Sequence, residues 1–207
     1  MEPIQKTLVK GDDKNLRALV QAELDGGAKA PDILNKGLIK GMNEVGRLFR
    51  DGEIYLPEVL LAARAMKAAM EVLEPHLAEK DVGQKGTVVI GTVRGDLHDI
   101  GKNLVRIMLE GSGYRVVDLG TDVTPERFVD EAMKNGACAI AMSALLTTTM
   151  GSMVDTVKAL RAKDPGGRIM VLVGGAPVTQ AYCKEIGADG YGASAPEGVE
   201  VLDRFLG

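Results

Sequence analysis

GTVVIGTVRGDLHDIGKN, residues 86–103, joins a continuous apolar run to a polar corner rich in glycine. The run 86–93 is β-branched and is typical of a strand buried on both faces of a sheet, and a helical pattern begins at residue 101. The corner between them holds two aspartates and one of the two histidines of the chain. This order of strand, polar corner and helix predicts the start of an α/β domain and marks the corner as a candidate site.

The same alternation continues downstream of the corner. Five apolar runs alternating with five helical stretches predict a parallel sheet covered by helices on both faces. Right-handed crossovers then give a doubly wound, flavodoxin-like (Rossmann-like) fold with the strand order 2-1-3-4-5. The predicted strands are 86–93, 114–120, 138–145, 168–175 and 190–194, and the predicted helices are 101–112, 125–135, 150–163, 179–186 and 196–206.

The part of the chain before residue 79 has a helical period and almost no strand signal. It predicts an antiparallel four-helix bundle whose first helix is short. The polar segment EKDVGQKG, 79–86, indicates a linker, so we expect a helical domain at 1–83 and an α/β domain at 86–207. The expected apolar stripes are Leu16, Leu19, Val20 and Leu24; Leu34, Leu38, Met42, Val45 and Phe49; and Val59, Leu60, Ala63, either Met66 or Lys67, Met70 and Leu73.

Composition and charge exclude several classes of protein. The formal net charge is −4, which disfavours non-specific nucleic-acid binding. No apolar run is long enough to cross a membrane, and the first residues lack the apolar core of a signal peptide. Cys138 and Cys183 form no disulfide framework or zinc spacing and are expected to be inert small hydrophobes. These features predict a cytoplasmic protein.

Ligands of this fold bind outside the carboxyl ends of the strands, at the switch point between the first and third strands. Three segments are expected to meet there: 91–103, the stretch SALLTTT at 143–149, and Gly174-Gly175 at the end of the fourth strand. The two glycines leave room for a bulky ligand beside the backbone. The middle segment carries four hydroxyl groups, those of Ser143, Thr147, Thr148 and Thr149, which either serve the site or, for one of them, cap the following helix.

Three common nucleotide and phosphate sites do not fit the corner. A P-loop needs four residues between its glycines and a hydroxyl after its lysine, whereas five residues separate Gly95 from Gly101 and Asn103 follows Lys102. The dinucleotide pattern G-x-G-x-x-G is absent from the corner. A phospho-acceptor receiver domain carries a lysine at a later strand end, where this chain has Gly174.

His98 is the candidate metal ligand of the corner, although a lone histidine is more often structural. Asp96 precedes it by two residues, close enough for the carboxylate–imidazole hydrogen bond that metal-bound histidines usually make. One histidine without nearby cysteines or histidines cannot form a zinc site. It could instead be one axial ligand of a metal whose other ligands belong to a macrocycle.

The spacing D-x-H-x-x-G at Asp96, His98 and Gly101, followed by S-x-L at Ser143 and Leu145 and by G-G, resembles a cobalamin-binding signature. Methionine synthase, several mutases and the corrinoid carrier proteins of methyltransferase systems share that signature. The segment 41–75 resembles the helical cap of methionine synthase and of the carriers, which mutase domains lack. The resemblance covers nearly the whole chain and is strongest to a stand-alone corrinoid carrier.

The resemblance implies a role for each candidate residue. His98 would bind cobalt from below, Asp96 would hydrogen-bond His98, and Thr149 stands where methionine synthase completes its relay with serine; these three are the expected catalytic residues. Val59 and Leu60 are either shielding contacts or bundle core. The expected cofactor contacts are Gly95, Asp96, Leu97, His98, Asp99 and Gly101 around the corrin; Ser143, Leu145 and Thr147 near its tail; Gly174, Gly175 and Ala195 along the tail slot; and Tyr55 and Leu56 as shielding residues of the cap.

The resemblance also implies a function. The chain would hold cobalamin or a related corrinoid, in its methylcobalamin form, and carry a methyl group on cobalt from a substrate-specific methyltransferase to a second one that acts on tetrahydrofolate or a thiol. A reductive activase would be a further partner, and the chain would not turn over alone. The alternatives are a cobalamin-dependent regulator, disfavoured because no basic helix-turn-helix precedes residue 30, and an adenosylcobalamin mutase subunit, disfavoured by the cap.

Overall fold

The structure is a computed structural model that describes residues 1–77 and 85–206. The chain divides into two compact units, one made of Met1–Gln84 with Glu110–Gly113 and the other of Lys85–Leu109 with Tyr114–Gly207. The predicted linker 79–86 lies outside the described residues except for Lys85 and Gly86.

The first unit is helical, as the sequence predicts. Three of its segments follow one another without a break and form one long helix, so residues 1–77 contain four helices, the first of them short. The middle of the long helix is π-helical, which the sequence analysis did not predict. The elements are α1 (Glu2–Val9), α2 (Asp13–Asp25), α3 (Ala30–Asp32), a π-helical segment (Ile33–Ile39), α4 (Lys40–Arg50), α5 (Leu56–Leu73) and a 3-10 turn (Glu74–His76).

Two glycines of the long helix allow α1 to pack closely against it. A Cβ atom on Gly37 would lie 2.9 Å from Ile4 Cγ2, and one on Gly41 would lie 3.2 Å from Leu8 Cδ2. Ile4 and Leu8 are fully buried in this contact. The spacing of four residues places both glycines on one helix face, so the missing side chains leave a groove that α1 fills.

The buried face of α5 differs from the predicted stripe. Val59 is fully buried, so it belongs to the bundle core, whereas Leu60 is 48% exposed. The expectation that Leu60 lies in the stripe is therefore wrong. The buried face of α5 contains four alanines, whose small side chains let neighbouring helices approach closely. A search for large apolar side chains therefore did not identify this face as the buried one. The buried residues of α5 are Val59, Ala62, Ala65, Met66, Ala68, Ala69 and Leu73.

The second unit is a doubly wound α/β domain with the predicted strand order, β2-β1-β3-β4-β5, and all neighbouring strands are parallel. A 3-10 turn at Thr147–Thr149 follows β3. The elements are β1 (Thr87–Thr92), α6 (Ile100–Gly111), β2 (Arg115–Asp118), α7 (Pro125–Lys134), β3 (Ala139–Ser143), α8 (Gly151–Lys163), β4 (Met170–Gly174), α9 (Gln180–Glu185), β5 (Gly190–Gly192) and α10 (Ala195–Leu206).

The register of the sheet aligns the ends of its central strands. Thr92 pairs with Ser143, and Ser143 pairs with Gly174. The loops after β1, β3 and β4 therefore leave the sheet side by side at its carboxyl edge. Below this edge the strands are apolar and buried, and Phe128 of α7 packs so closely that a Cβ atom on Gly91 would lie 2.9 Å from its ring.

Both cysteines are free thiols. Burial raises the pKa of the Cys183 thiol, and it also raises that of Cys138, whose sulfur donates a hydrogen bond to the carbonyl of Thr87. Both thiols are thus held in the protonated, unreactive form. Within residues 1–77 and 85–206, no helix combines the length and the apolar character that crossing a membrane requires.

Candidate functional site

Asp96 connects the loops after β1 and β3. Its carboxylate is fully buried and accepts five hydrogen bonds. Oδ2 accepts the backbone N–H groups of Leu145 and Leu146, at 2.8 and 3.1 Å, and the hydroxyl of Thr149 at 2.9 Å. Oδ1 accepts the backbone N–H of His98 at 3.1 Å and lies 2.7 Å from Nδ1 of its imidazole. One carboxylate therefore brings the three predicted catalytic side chains together.

These hydrogen bonds decide the protonation of the site. Burial by itself would raise the pKa of Asp96, but the Leu145 amide, the His98 imidazole and the remaining donors outweigh it and hold the pKa well below its usual range. Asp96 is therefore an anion at neutral pH and can only accept hydrogen bonds. Nδ1 of His98 therefore donates its proton to this carboxylate, and Nε2 is the ring nitrogen that faces away from it.

The orientation of His98 is fixed on its protein side. Besides the two contacts with Asp96, the buried hydroxyl of Thr92 donates to the His98 carbonyl at 2.8 Å. The side chain is 52% exposed, and Nε2 has no hydrogen-bond partner among residues 1–77 and 85–206. His98 thus exposes Nε2, the ring nitrogen that Asp96 does not hold, at the sheet edge.

Four exposed apolar side chains lie in or beside the two loops that Asp96 connects, and together they form what we call the apolar rim. Leu97 and Ile100, on either side of His98, are 73% and 77% exposed, and Leu145 and Leu146 are also exposed. Single exposed hydrophobes are ordinary on a protein surface, but several in adjoining loops mark a binding surface.

An ion pair between the buried Lys102 and the partly exposed Asp118 fixes the helix that follows His98. The ammonium of Lys102 lies 2.7 and 2.6 Å from the two carboxylate oxygens of Asp118 and donates to Asn103 Oδ1 at 2.8 Å. Asn103 in turn donates to Asp99 Oδ2 at 2.9 Å. Burial would raise the pKa of Asp118, but Lys102 and the Gly120 amide lower it below the usual value. The first turn of α6 is therefore tied to the end of β2.

A metal bound at His98 would have to bring its other ligands. In the described part of the chain, no group of three or more histidine, cysteine, aspartate or glutamate side chains is arranged to hold a metal ion. A single imidazole nitrogen within an apolar rim fits a metal that sits in a large, flat and mainly apolar ring, as the cobalt of a corrinoid does. The residues present therefore fit this cofactor.

Comparisons with known proteins agree with this chemistry. The sequence profile of a B12 binding domain matches residues 86–200, and a second profile with the same description matches residues 1–74. This chain belongs to the B12-binding corrinoid protein family. A corrinoid protein of Desulfitobacterium hafniense is 40% identical over 210 residues, which cover 100% of this chain and 97% of that protein.

Two further relatives from methanogens are similar over most of their length. Trimethylamine corrinoid protein 1 of Methanosarcina mazei is 43% identical over 204 residues, which cover 97% of this chain and 94% of that protein. The crystal structure of the methanol:cobalamin methyltransferase complex from Methanosarcina barkeri contains a chain with a TM-score of 0.87 and 33% identity, and the match covers 99% of this chain and 78% of that one.

Several other residues that the sequence predicts to contact the cofactor lie at the same edge of the sheet. Ser143 is the last residue of β3, and its hydroxyl makes no hydrogen bond within the residues that the structure describes. Thr147 is exposed two residues before the buried Thr149. Gly95 has a φ of +82°, and a Cβ atom there would lie 3.4 Å from Thr149 Cγ2, whereas one on Gly101 would meet open space.

The glycines at the end of β4 have a packing reason of their own. Gly175 has a φ of +121°, and a Cβ atom there would lie 2.0 Å from the carbonyl oxygen of Ala144. A Cβ atom on Gly174 would lie 3.0 Å from the carbonyl oxygen of Gly192. These glycines make room for protein backbone, and their contact with a cofactor tail stays a prediction. The same holds for Ala195, whose side chain is buried at the start of α10.

Tyr55 and Leu56 belong to the helical unit, where Tyr55 is 70% exposed and Leu56 is partly exposed. Glu58 accepts a hydrogen bond from the Tyr55 backbone N–H at 3.0 Å and so fixes the start of α5. The shielding of the cofactor by Tyr55 and Leu56 stays a prediction.

Sequence reasoning missed several residues of the site. The backbone amide of Leu146 and the hydroxyl of Thr92 carry no local signal, since their direction depends on the fold. Lys102 stood inside the quoted corner, and its position one helical turn after His98 could have suggested a structural partner. Asp122, in the loop after β2, was not singled out at all, although its carboxylate accepts the Gly95 N–H at 2.7 Å.

Proposed function

We propose that this chain is a corrinoid protein that carries a methyl group between two methyltransferases. The observation that supports it most is the geometry of His98: Asp96 holds its Nδ1 at 2.7 Å, and its Nε2 has no hydrogen-bond partner within the described residues. A bound corrinoid supplies the cobalt that accepts and releases the methyl group. The relatives named above, with trimethylamine and methanol in their descriptions, support this class of chemistry.

His98, Asp96 and Thr149 divide the work at the protein side of the cofactor. In the proposal, Nε2 of His98 would hold the cobalt, and Asp96 would keep the proton on Nδ1 so that Nε2 is free to bind. When Nε2 is not engaged, it can accept a proton, and the adjacent carboxylate stabilises the resulting cation. The Thr149 hydroxyl has one proton and two acceptors in reach, Asp96 Oδ2 and the Leu146 carbonyl at 2.8 Å, so its donation can adjust to the charge of the pair.

The test is reconstitution of the apo-protein with hydroxocobalamin. The wild type should take up the cofactor and absorb in the visible as a histidine-ligated form. His98→Ala should lose that spectrum while its circular dichroism stays that of a folded protein. His76→Ala, which removes the other histidine, is the matched control and should behave like the wild type. Equal spectra for the wild type and His98→Ala would contradict the proposal.

The proposed partners are a substrate-specific methyltransferase, an acceptor methyltransferase that uses tetrahydrofolate or a thiol, and a reductive activase. The support is that one similar chain comes from a complex whose name includes methanol:cobalamin methyltransferase. The carrier would not turn over alone. Affinity capture with the reconstituted protein from its native cell should enrich a methyltransferase, and capture that yields none would count against this partnership.

We also propose that 1–83 acts as a cap and 86–207 as the cofactor domain, with Tyr55 and Leu56 shielding the corrin. The exposure of Tyr55 supports this, because a bare tyrosine at the start of a helix is available for a contact. Tyr55→Ala should release bound hydroxocobalamin faster than the wild type. Met133→Ala, which removes an exposed side chain of α7, is the control. Equal release rates for the wild type and Tyr55→Ala would rule out the shielding role.

The proposal places the protein in the cytoplasm. The support is that both cysteines are free and unreactive, as is usual in a reducing compartment. Fractionation of the native cells, followed by immunoblotting, should recover the protein with cytoplasmic markers, and recovery with the membrane or the exported fraction would contradict this location.

A further inference from the structure

Asp122 has an unusual backbone conformation for its residue type. Its φ is +54°, and it is the single residue other than glycine with a positive φ within residues 1–77 and 85–206. Side chains with a Cβ atom are strained in this left-handed region, although aspartate tolerates it better than most. Such strain persists where the surrounding contacts require it, and it is often associated with functional sites.

Two hydrogen bonds explain why Asp122 adopts this conformation. Its Oδ1 accepts the Gly95 N–H at 2.7 Å, and its own backbone N–H donates to the Asp96 carbonyl at 3.0 Å. The carboxylate and the amide of one residue therefore hold two consecutive residues of the loop after β1. The next residue, Val123, donates to the Thr92 carbonyl at 3.0 Å and continues this pairing into the sheet.

The geometry points to Asp122 as a positioning residue for the His98 ligand. Asp122 fixes the backbone at Gly95 and Asp96, the Asp96 backbone sets the direction of its carboxylate, and that carboxylate holds His98 Nδ1 at 2.7 Å. Asp122 makes no contact with His98 itself. Its contribution is to keep the imidazole at one angle, so that Nε2 is already oriented when the cofactor arrives. The inference rests on the proposed function, in which His98 is the axial ligand.

A carboxylate suits this task better than a neutral side chain. Hydrogen bonds from N–H groups to ionised acceptors are shorter and stronger than those between neutral groups, and the Gly95 contact is short. Gly95 itself has a φ of +82°, and glycine is the most flexible residue type. Without its hydrogen bond to Asp122, this part of the loop can therefore adopt more conformations. Loss of the acceptor should therefore loosen the Asp96–His98 pair without removing either residue.

The experiment compares three variants with the wild type. Asp122→Gly removes the acceptor and adopts positive φ without strain, whereas Asp122→Asn keeps an oxygen acceptor and tolerates the same φ but loses the charge. Thr121→Gly is the matched control, because it adds equal flexibility to the loop and its side chain makes no hydrogen bond in the described part of the chain. Each protein is titrated with hydroxocobalamin below its own unfolding temperature, and the visible spectrum is recorded at saturation.

The expected result is an ordered series. Asp122→Gly should bind about tenfold more weakly than the wild type, Asp122→Asn about threefold more weakly, and Thr121→Gly with unchanged affinity. The histidine-ligated fraction at saturation should fall in the same order. If Asp122→Gly does not fold, the comparison of Asp122→Asn with the wild type still tests the inference.

Two results would overturn the inference: wild-type affinity and spectrum in the Asp122 variants, or a loss in Thr121→Gly as large as in Asp122→Gly. His98→Ala separates this failure from that of the proposed function. If His98→Ala loses the histidine-ligated spectrum while the Asp122 variants keep it, the inference about Asp122 alone is wrong. If His98→Ala keeps the wild-type spectrum, the ligand assignment itself is wrong.

Discussion

Gly175 illustrates how a single residue shapes the carboxyl edge of the sheet. Its backbone lies so close to the Ala144 carbonyl that a Cβ atom would overlap it at 2.0 Å. Backbone cannot move aside as a flexible side chain can. We therefore expect Gly175→Ala to destabilise the α/β unit by about 3 kcal/mol or more, from overpacking combined with positive-φ strain. Urea unfolding followed by circular dichroism measures this change.

Gly187→Ala is the control for the strain alone. Gly187 also has a positive φ, +73°, but a Cβ atom there would have nothing within 4 Å. That variant should lose only about 1 kcal/mol. If Gly175→Ala were no less stable than Gly187→Ala, the close approach to Ala144 would not be the reason for the glycine.

At the residue scale the sequence predicted the acid–imidazole pair but not the full environment of Asp96. The pair depends on two residues that are close in the chain, so spacing alone suggested it. The amides of Leu145 and Leu146 reach Asp96 from the loop after β3, and the sequence does not give the direction of a backbone N–H. The sequence also indicated the glycines after β4, but the structure supplies a packing reason where we expected space for a ligand.

The ion pair of Lys102 with Asp118 acts at the scale of an element, because it joins α6 to the end of β2. Lys102 is only 3% exposed. When its charge is removed, the carboxylate of Asp118 keeps a more distant cation, because Arg106 Nε lies 3.6 Å from Asp118 Oδ2. We expect Lys102→Met, which keeps the side-chain volume, to cost about 2 kcal/mol of unfolding free energy, measured with urea.

Lys163→Met is the matched control for this prediction. Lys163 pairs with Asp130 between two exposed side chains, so its loss should cost less than about 1 kcal/mol. Acid should narrow the difference between the wild type and Lys102→Met. The lowered pKa of Asp118 means that the ion pair contributes fully above the usual carboxyl pKa of about 4 and is lost as the pH falls through the lowered value. Equal losses in both variants would mean that burial of Lys102 has no energetic importance.

Most elements could be predicted because their periodicity is strong. The five strands are apolar and β-branched, and the helices between them have clear amphipathic patterns. The π-helical segment Ile33–Ile39 could not be predicted, since no local pattern in its sequence distinguishes a π turn from an α turn. The inward face of α5 was partly misassigned, because both its alanines and its leucines are apolar and the sequence pattern does not show which of them are buried.

At the scale of the whole molecule, the order of strands followed from the alternation of elements and the handedness of crossovers. The same order explains the location of the site, because it places the loops after β1 and β3 next to each other. The family assigns a corrinoid to the chain, and the chemistry of the site is compatible with that cofactor.

The whole chain contains two histidines, His98 and His76, which allows a direct test of the ligand. The protein is labelled with ¹⁵N-histidine, loaded with the cofactor, reduced to the cobalt(II) state and examined by electron paramagnetic resonance. If His98 is the axial ligand, the nitrogen superhyperfine triplet becomes a doublet on labelling, and it does so equally in His76→Ala. A triplet that is unchanged by the label would show that the nitrogen on cobalt comes from the cofactor itself and would contradict the account.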